Sequence, residues 1–311
     1  MHGDSDHHRG NGHTHSHAAA RAGEQRRLLL ALSVTAVAMV AEALGGWLSN
    51  SLALLSDAGH LMADVGAIGL SLLALRIAGR PADLKRTYGY RRLEILAALL
   101  NGAVLFGIAA GIAIEGYHRL LHPEPVQVKT VAVLACLGIV LNAAGMWMTH
   151  AGPHGSMNLR STFLHLAGDL LNSVGVLVSA ALFAWTGQLI VDPVVSFLIA
   201  GTIVWSAVRL CREALHILLE GAPGHIPLAD VSAAIARVRG VSAVHDLHVW
   251  TITSGLVALS CHIVVSCEGP DCRSHDEILT DAKAVLRDRF AIEHTTIQFE
   301  SEDYRHEEVV H

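Results

Sequence analysis

Six long apolar stretches dictate what this chain can fold into. They run over residues 28–48, 52–77, 93–117, 128–148, 162–185 and 189–208. Each supplies the roughly 20 apolar residues that a helix needs to cross a bilayer. Charged residues make up only 16% of the 311, against about 25% in a typical water-soluble domain. The expected fold is therefore an α-helical membrane protein with six transmembrane helices. The first stretch follows a polar tail and is long enough to span, so it reads as a retained helix and not a cleaved signal.

Positive charge sets the orientation. Arg21, Arg26 and Arg27 precede the first helix, and Arg80, Lys85, Arg86, Arg91 and Arg92 follow the second. Arg160 follows the fourth and Arg212 the sixth. The alternate loops, 48–51 and 186–188, carry none, and the loop after the third helix has Arg119 and Lys129. Lys and Arg collect on the cytoplasmic side of membrane proteins. This alternation puts both termini in the cytoplasm.

Beyond Arg212 the apolar runs shorten. Residues 228–239 and 274–290 read as amphipathic helices, and 244–253, 256–266 and 295–300 as strands. Ser254 and Gly255 form a turn signal between the first two strands. That order describes a small cytoplasmic α+β domain. The expected organisation is a His-rich cytoplasmic tail (1–27), a six-helix membrane domain (28–210) and a C-terminal domain (211–311).

The tail carries His2, His7, His8, His13, His15 and His17, interspersed with Gly, Asp, Ser and Thr. Such a tract points to metal affinity, unlike the unbroken run of a tag. Cys136, Cys211, Cys261, Cys267 and Cys272 form no C-x-x-C pair, which argues against a cysteine zinc knuckle or a disulfide framework. The net charge of −6 argues against a nucleic-acid partner.

The second and fifth apolar stretches share one pattern, S-x3-H-x3-D. It is Ser56, His60 and Asp64 in one, and Ser161, His165 and Asp169 in the other. A spacing of four puts each His and its Asp one turn apart on the same helix face. Facing each other, the two pairs make an N2O2 set suited to tetrahedral zinc. An ionisable group at the bilayer centre costs about 2.5–3.5 kcal/mol. No Lys or Arg lies at that depth to compensate, whereas a divalent cation among two carboxylates and two neutral imidazoles would. Two other readings stand beside this one: helix–helix hydrogen bonding alone, and haem held by His60 and His165. The haem reading leaves the paired aspartates unexplained. A metal-sensing receptor that transports nothing is a further alternative. Asp57 either lines the same cavity or bonds to backbone or a neighbouring helix. Glu42, Asn101, Glu115, Asn142, Asn172 and Ser173 are expected in helix packing or cavity lining.

Several motifs resemble the cation diffusion facilitator family, within it the zinc-transporting branch that includes the bacterial cobalt-zinc-cadmium resistance proteins. They are Ser51 through His60 with Asp64, Tyr88 through Glu94, Asn158 through Asp169, Val191-Asp192-Pro193, Leu219 through Pro223, and His245 through Thr251. The resemblance implies a secondary transporter, not an enzyme, that exports zinc from the cytosol in exchange for protons without an organic cofactor. It also implies a homodimer in a bacterial inner membrane, with His60, Asp64, His165 and Asp169 as the transport site. Its cytoplasmic domain would be copper-chaperone-like and would bind regulatory zinc through His245, His262 and Glu300.

Strand parity places His262 and Glu300 on polar faces, leaves the direction of His245 open, and keeps His248 and His275 as further candidates. The His-rich tail could complete this site from the other protomer. Some family members hold metal in the loop after the second helix. Here Asp83 keeps the carboxylate, but Arg86 and Tyr90 stand at the histidine positions, so that site is expected to be missing. The short loop with His150 and His154 looks bacterial. Metal ligands must be deprotonated to bind, so protons compete for them in an alternating-access cycle, and imidazole suits that exchange.

Overall fold

The computed structural model describes residues 12–150, 157–266, 273–302 and 304. Six helices among them are long and apolar enough to cross a membrane. They lie in α1 (Gly12–Ser49), α2 (Leu52–Ala78), α3 (Leu93–Leu121), α4 (Val128–Thr149), α5 (Met157–Thr186) and α6 (Val191–Leu218). All six expected spans are present. α6 starts at Val191, two residues inside its expected span; the helices otherwise run past their spans, most of all α1, whose spanning part is Leu29–Ser49. Residues 18–27 are rich in Ala, Arg, Glu and Gln, which favour helix without being apolar. Hydropathy marks the membrane crossing and misses this extension. The side chains of the tail histidines lie outside the described residues, as do His154, Cys267 and Cys272.

The chain divides into two compact units, residues 1–69 with 101–208, and residues 70–100 with 209–311. In the first, α4 packs against α1 and α5. Small residues allow the close approach. A Cβ on Gly45 of α1 would collide with Leu134 of α4. One on Gly138 of α4 would fall 2.7 Å from Glu42 Oε1 and 2.9 Å from Ser173 Oγ. The turn between α1 and α2 is clamped by the buried Arg119. Its guanidinium donates to the Asn50 carbonyl at 2.6 Å and to Asn50 Oδ1 at 2.9 Å. Asn50 adopts a left-handed φ of 56°.

The second unit contains a three-stranded sheet with α7 (Leu228–Ala236) and α8 (His275–Phe290). β1 (Val241–Thr253) pairs antiparallel with β2 (Leu256–Val265), which pairs parallel with β3 (His294–Ser301). These are the elements expected of the α+β domain. Leu259, Cys261, Ile263 and Val265 alternate along β2 into a core with Val231, Ile235, Ile278 and Leu286. The opposite face of β2 carries Ser260 and His262 between Ala258 and Val264. Ser274 and Glu277 form a reciprocal capping box at the start of α8. In the same unit Glu94 accepts hydrogen bonds from Thr253 and from Ser254 at the tip of the β1–β2 turn. Arg92 pairs with Glu220 at 2.9 Å.

Candidate metal sites

Helices α2 and α5 bring the two S-x3-H-x3-D patterns together. His60 Nε2 lies 3.6 Å from Asp64 Oδ2 and 3.6 Å from Asp169 Oδ1. His165 Nε2 lies 3.4 Å from Asp64 Oδ2 and 3.6 Å from Asp169 Oδ2. A tetrahedral ion with bonds of about 2.0–2.2 Å spaces its ligand atoms about 3.3–3.6 Å apart. The four His–Asp separations fall at this spacing, and ligand atoms of His60, Asp64 and Asp169 lie within 4.8 Å of one another. His165 stands farther from His60, with ring centroids 6.2 Å apart, and does not join that closest group.

Burial makes the arrangement costly without a cation. His60 Nδ1, Asp64 Oδ2 and both Asp169 oxygens are buried with no hydrogen-bond partner among the described residues. Asp169 is 1% exposed, whereas the His165 side chain is 42% exposed and forms the open side of the cage. The carboxylates of Asp64 and Asp169 bridge the space between the two imidazoles. A haem plane held by His60 and His165 would have to pass through that space.

Asp57 lies in an adjoining polar layer. It is 1% exposed, and its Oδ2 accepts from Ser173 Oγ at 3.4 Å. Asn142 donates to the same hydroxyl at 3.3 Å. Glu115 is instead bonded to Arg119 at 2.8 Å.

The second cluster lies on the polar face of the sheet. His245 stands opposite His262 across β1 and β2. Glu300 reaches both, with Oε2 3.0 Å from His245 Nε2 and Oε1 2.9 Å from His262 Nδ1. The ligand atoms of His245, His262 and Glu300 lie within 4.8 Å of one another. Two imidazoles and a carboxylate are a donor set that zinc accepts. Burial alone would raise the Glu300 carboxyl. Hydrogen bonds from Gln298 and His245, with the charges of His245 and His262, outweigh it and hold the group below the usual carboxylate range.

A β-bulge settles the direction of His245. The register shifts between His245 and His248, and Asp246 takes a left-handed φ of 48°. The extra residue turns His245 and Asp246 toward His262 together. Asp246 is the acidic neighbour that sequence reasoning missed. Its Oδ2 lies 3.5 Å from His262 Nε2, and its Oδ1 bonds His248 Nε2 at 2.9 Å. His275 takes no part in this cluster. Its ring stacks on Phe299, with centroids 5.0 Å apart.

In the loop after α2, Asp83 Oδ1 accepts the backbone N–H groups of Lys85 and Arg86 at 2.8 and 2.7 Å. The Arg86 guanidinium stands 3.8 Å from Asp83 and donates to the Tyr90 hydroxyl at 3.1 Å. Turn contacts and a side-chain cation occupy the carboxylate there.

A family model for the cation efflux transmembrane domain matches residues 28–219, more than half of the chain. The chain belongs to the cation efflux family. A second model, the cytoplasmic domain of cation efflux proteins, matches residues 223–302. The Cupriavidus metallidurans metal cation efflux system protein CzcD is 40% identical over 89% of this chain and 87% of its own. The Escherichia coli zinc transporter ZitB is 38% identical over 88% of this chain and 87% of its own. The Bacillus subtilis cadmium, cobalt and zinc/H(+)-K(+) antiporter is 36% identical over 91% of each. This member of the family is thus a multi-pass membrane transporter for cations, not an enzyme, with a cytoplasmic domain after its six helices.

Proposed function

We propose that this transporter exports zinc from the cytosol in exchange for protons, binding it through His60, Asp64, His165 and Asp169. The observation that carries the reading is the cross-helix geometry. Each imidazole, one from α2 and one from α5, stands 3.4–3.6 Å from both carboxylates, and the buried oxygens of Asp64 and Asp169 lack donors. The names of the Escherichia coli and Bacillus subtilis relatives support zinc as cargo and protons as counter-ion.

Zinc enters from the cytosol and exchanges its water for these four ligands. Its two charges offset those of Asp64 and Asp169. The bundle then opens outward, where protons compete for the ligand atoms and release the ion. The protonated carrier returns. Both termini lie in the cytoplasm, and the protein works as a homodimer in a bacterial inner membrane. The cluster of His245, His262 and Glu300 binds further zinc in the cytoplasmic domain and couples cytosolic zinc to the dimer. The division into a tail (1–27), a membrane domain (28–210) and a cytoplasmic domain (211–311) follows this division of labour.

Everted membrane vesicles with an imposed pH gradient test the proposal. Zinc should accumulate in them, and His60→Ala or Asp169→Ala should abolish accumulation. Uptake at the normal rate in either variant would reject the assigned site.

A further inference from the structure

One buried acid is left unused by the metal cage. Glu42 of α1 is 1% exposed, and neither of its carboxyl oxygens has a hydrogen-bond partner among the described residues. Its Oε1 and the Ser173 Oγ of α5 stand 2.7 and 2.9 Å from the same point, where a Cβ on Gly138 would sit, so Glu42 adjoins the polar layer that holds Asp57 of α2. Asp57 in turn is held by Ser173 of α5, and Ser173 by Asn142 of α4. The next titratable group facing Glu42 is Asp169 of α5. From α4 it meets Gly138, which does not titrate. No Lys or Arg among the described residues pairs with it. An acid sunk in hydrocarbon without a counter-charge marks a functional position.

The surroundings decide what this acid holds. A metal ion needs several donors and room for bonds of about 2 Å. On the α4 side the helices close so tightly that a single carbon on Gly138 would sit 2.7 Å from Glu42 Oε1. A proton needs no volume. Two buried carboxyl groups in one dry polar layer hold one well, because both are costly to ionise together.

We propose that Glu42 and Asp57 form a proton site, separate from the metal cage, in which one proton is shared between the two carboxyl groups. The proton sits on a carboxyl oxygen of one residue, and the Ser173 hydroxyl, which adjoins both, connects it to the other. When zinc occupies the cage, its charge beside Asp169 favours release of that proton to water. When zinc has left, the pair takes a proton up again. The O–H bond broken on release and formed on uptake is the only covalent change. This assignment rests on the zinc–proton exchange proposed above and gives the proton a place of its own.

The test compares wild type, Glu42→Gln and Glu42→Asp, reconstituted as full chains in proteoliposomes. One assay follows zinc uptake driven by a pH gradient. The other follows exchange of labelled for unlabelled zinc with no gradient. Glu42→Gln should keep exchange within about twofold. It should lose gradient-driven uptake by about tenfold or more, a loss on the scale of coupling between two sites. Glu42→Asp, which keeps an acid there, should recover part of the driven uptake. Equal driven uptake in wild type and Glu42→Gln overturns the proton site and leaves the antiport reading standing. Loss of exchange in Glu42→Gln also overturns it, since Glu42 would then serve zinc binding or folding. Wild type that ignores the gradient overturns the antiport reading and the proton site together.

Discussion

Asp192 of α6 caps α2 through Ser51. One carboxylate oxygen of Asp192 accepts the Ser51 hydroxyl at 2.6 Å, and the other accepts the Leu52 backbone N–H at 2.7 Å. The first N–H groups of a helix have no partner within it, and a carboxylate there also meets the positive end of the helix dipole. Here the cap comes from another helix, about 140 residues along the chain. It fixes the start of the helix that carries His60 and Asp64. Asp192→Ala should destabilise the solubilised protein by about 1–3 kcal/mol, since it leaves buried donors unpaired. Zinc transport should fall without vanishing, because the four cage residues remain. Thermal unfolding and vesicle uptake check this, and an unchanged melting profile would show that the cap contributes nothing.

The cage makes a prediction about selectivity. His60 lies 3.6 Å from each of the two carboxylates. His60→Asp puts a third carboxylate there on a shorter side chain. The cage widens and becomes richer in oxygen, which suits a broader range of ions. Cadmium uptake relative to zinc should rise about tenfold, equivalent to a differential of about 1.4 kcal/mol. Parallel uptake of the two ions by the variant measures the ratio, and a ratio equal to wild type would rule out His60 as the discriminating ligand.

In the cytoplasmic cluster one carboxylate serves two imidazoles. Glu300→Gln removes the charge that both His245 and His262 share, so zinc affinity there should fall by at least about tenfold. Asp246→Asn acts on His262 from 3.5 Å and should cost less. Equilibrium dialysis of the full chain, which counts tightly held zinc per protomer, checks both. The assignment fails if Glu300→Gln binds as much zinc as wild type at limiting metal.

What could be read in advance follows from the range of each interaction. The pairs His60/Asp64 and His165/Asp169 were legible because a helix repeats about every 3.6 residues, so a spacing of four shows which groups share a face. Charge and hydropathy gave the six spans for the same local reason. The direction of His245 was hidden. Strand parity assumes two residues per repeat, and nothing in His245-Asp246-Leu247-His248 announces the bulge that breaks it. The early start of α1 was hidden because hydropathy measures apolarity and not helix preference. The caps and clamps were the least legible. Asp192 with Ser51, and Arg119 with Asn50, join residues far apart in the chain. Only the packed bundle shows which polar group faces which.

Cys261 gives a pH-dependent prediction. Its side chain is buried in the core face of β2. Burial pushes the thiol up to about 11 from an ordinary 9.0. Between those values an unfolded thiol has lost its proton while the folded one keeps it. The folded state then binds more protons than the unfolded state, so stability must fall as pH rises through that interval. The effect is absent below about pH 8.5, where both states hold the proton. By about pH 11 the loss should reach roughly 2–3 kcal/mol. Cys261→Ala removes this alkaline component, although it lowers stability at every pH by leaving a cavity. The difference in denaturant midpoint between wild type and variant should therefore narrow from pH 8 to pH 11. At pH 8 the native thiol should also resist iodoacetamide, since the thiolate is the reactive form, and denaturant should release it. Labelling in the native protein as fast as in denaturant would mean that β2 opens readily or that its core face does not pack as described.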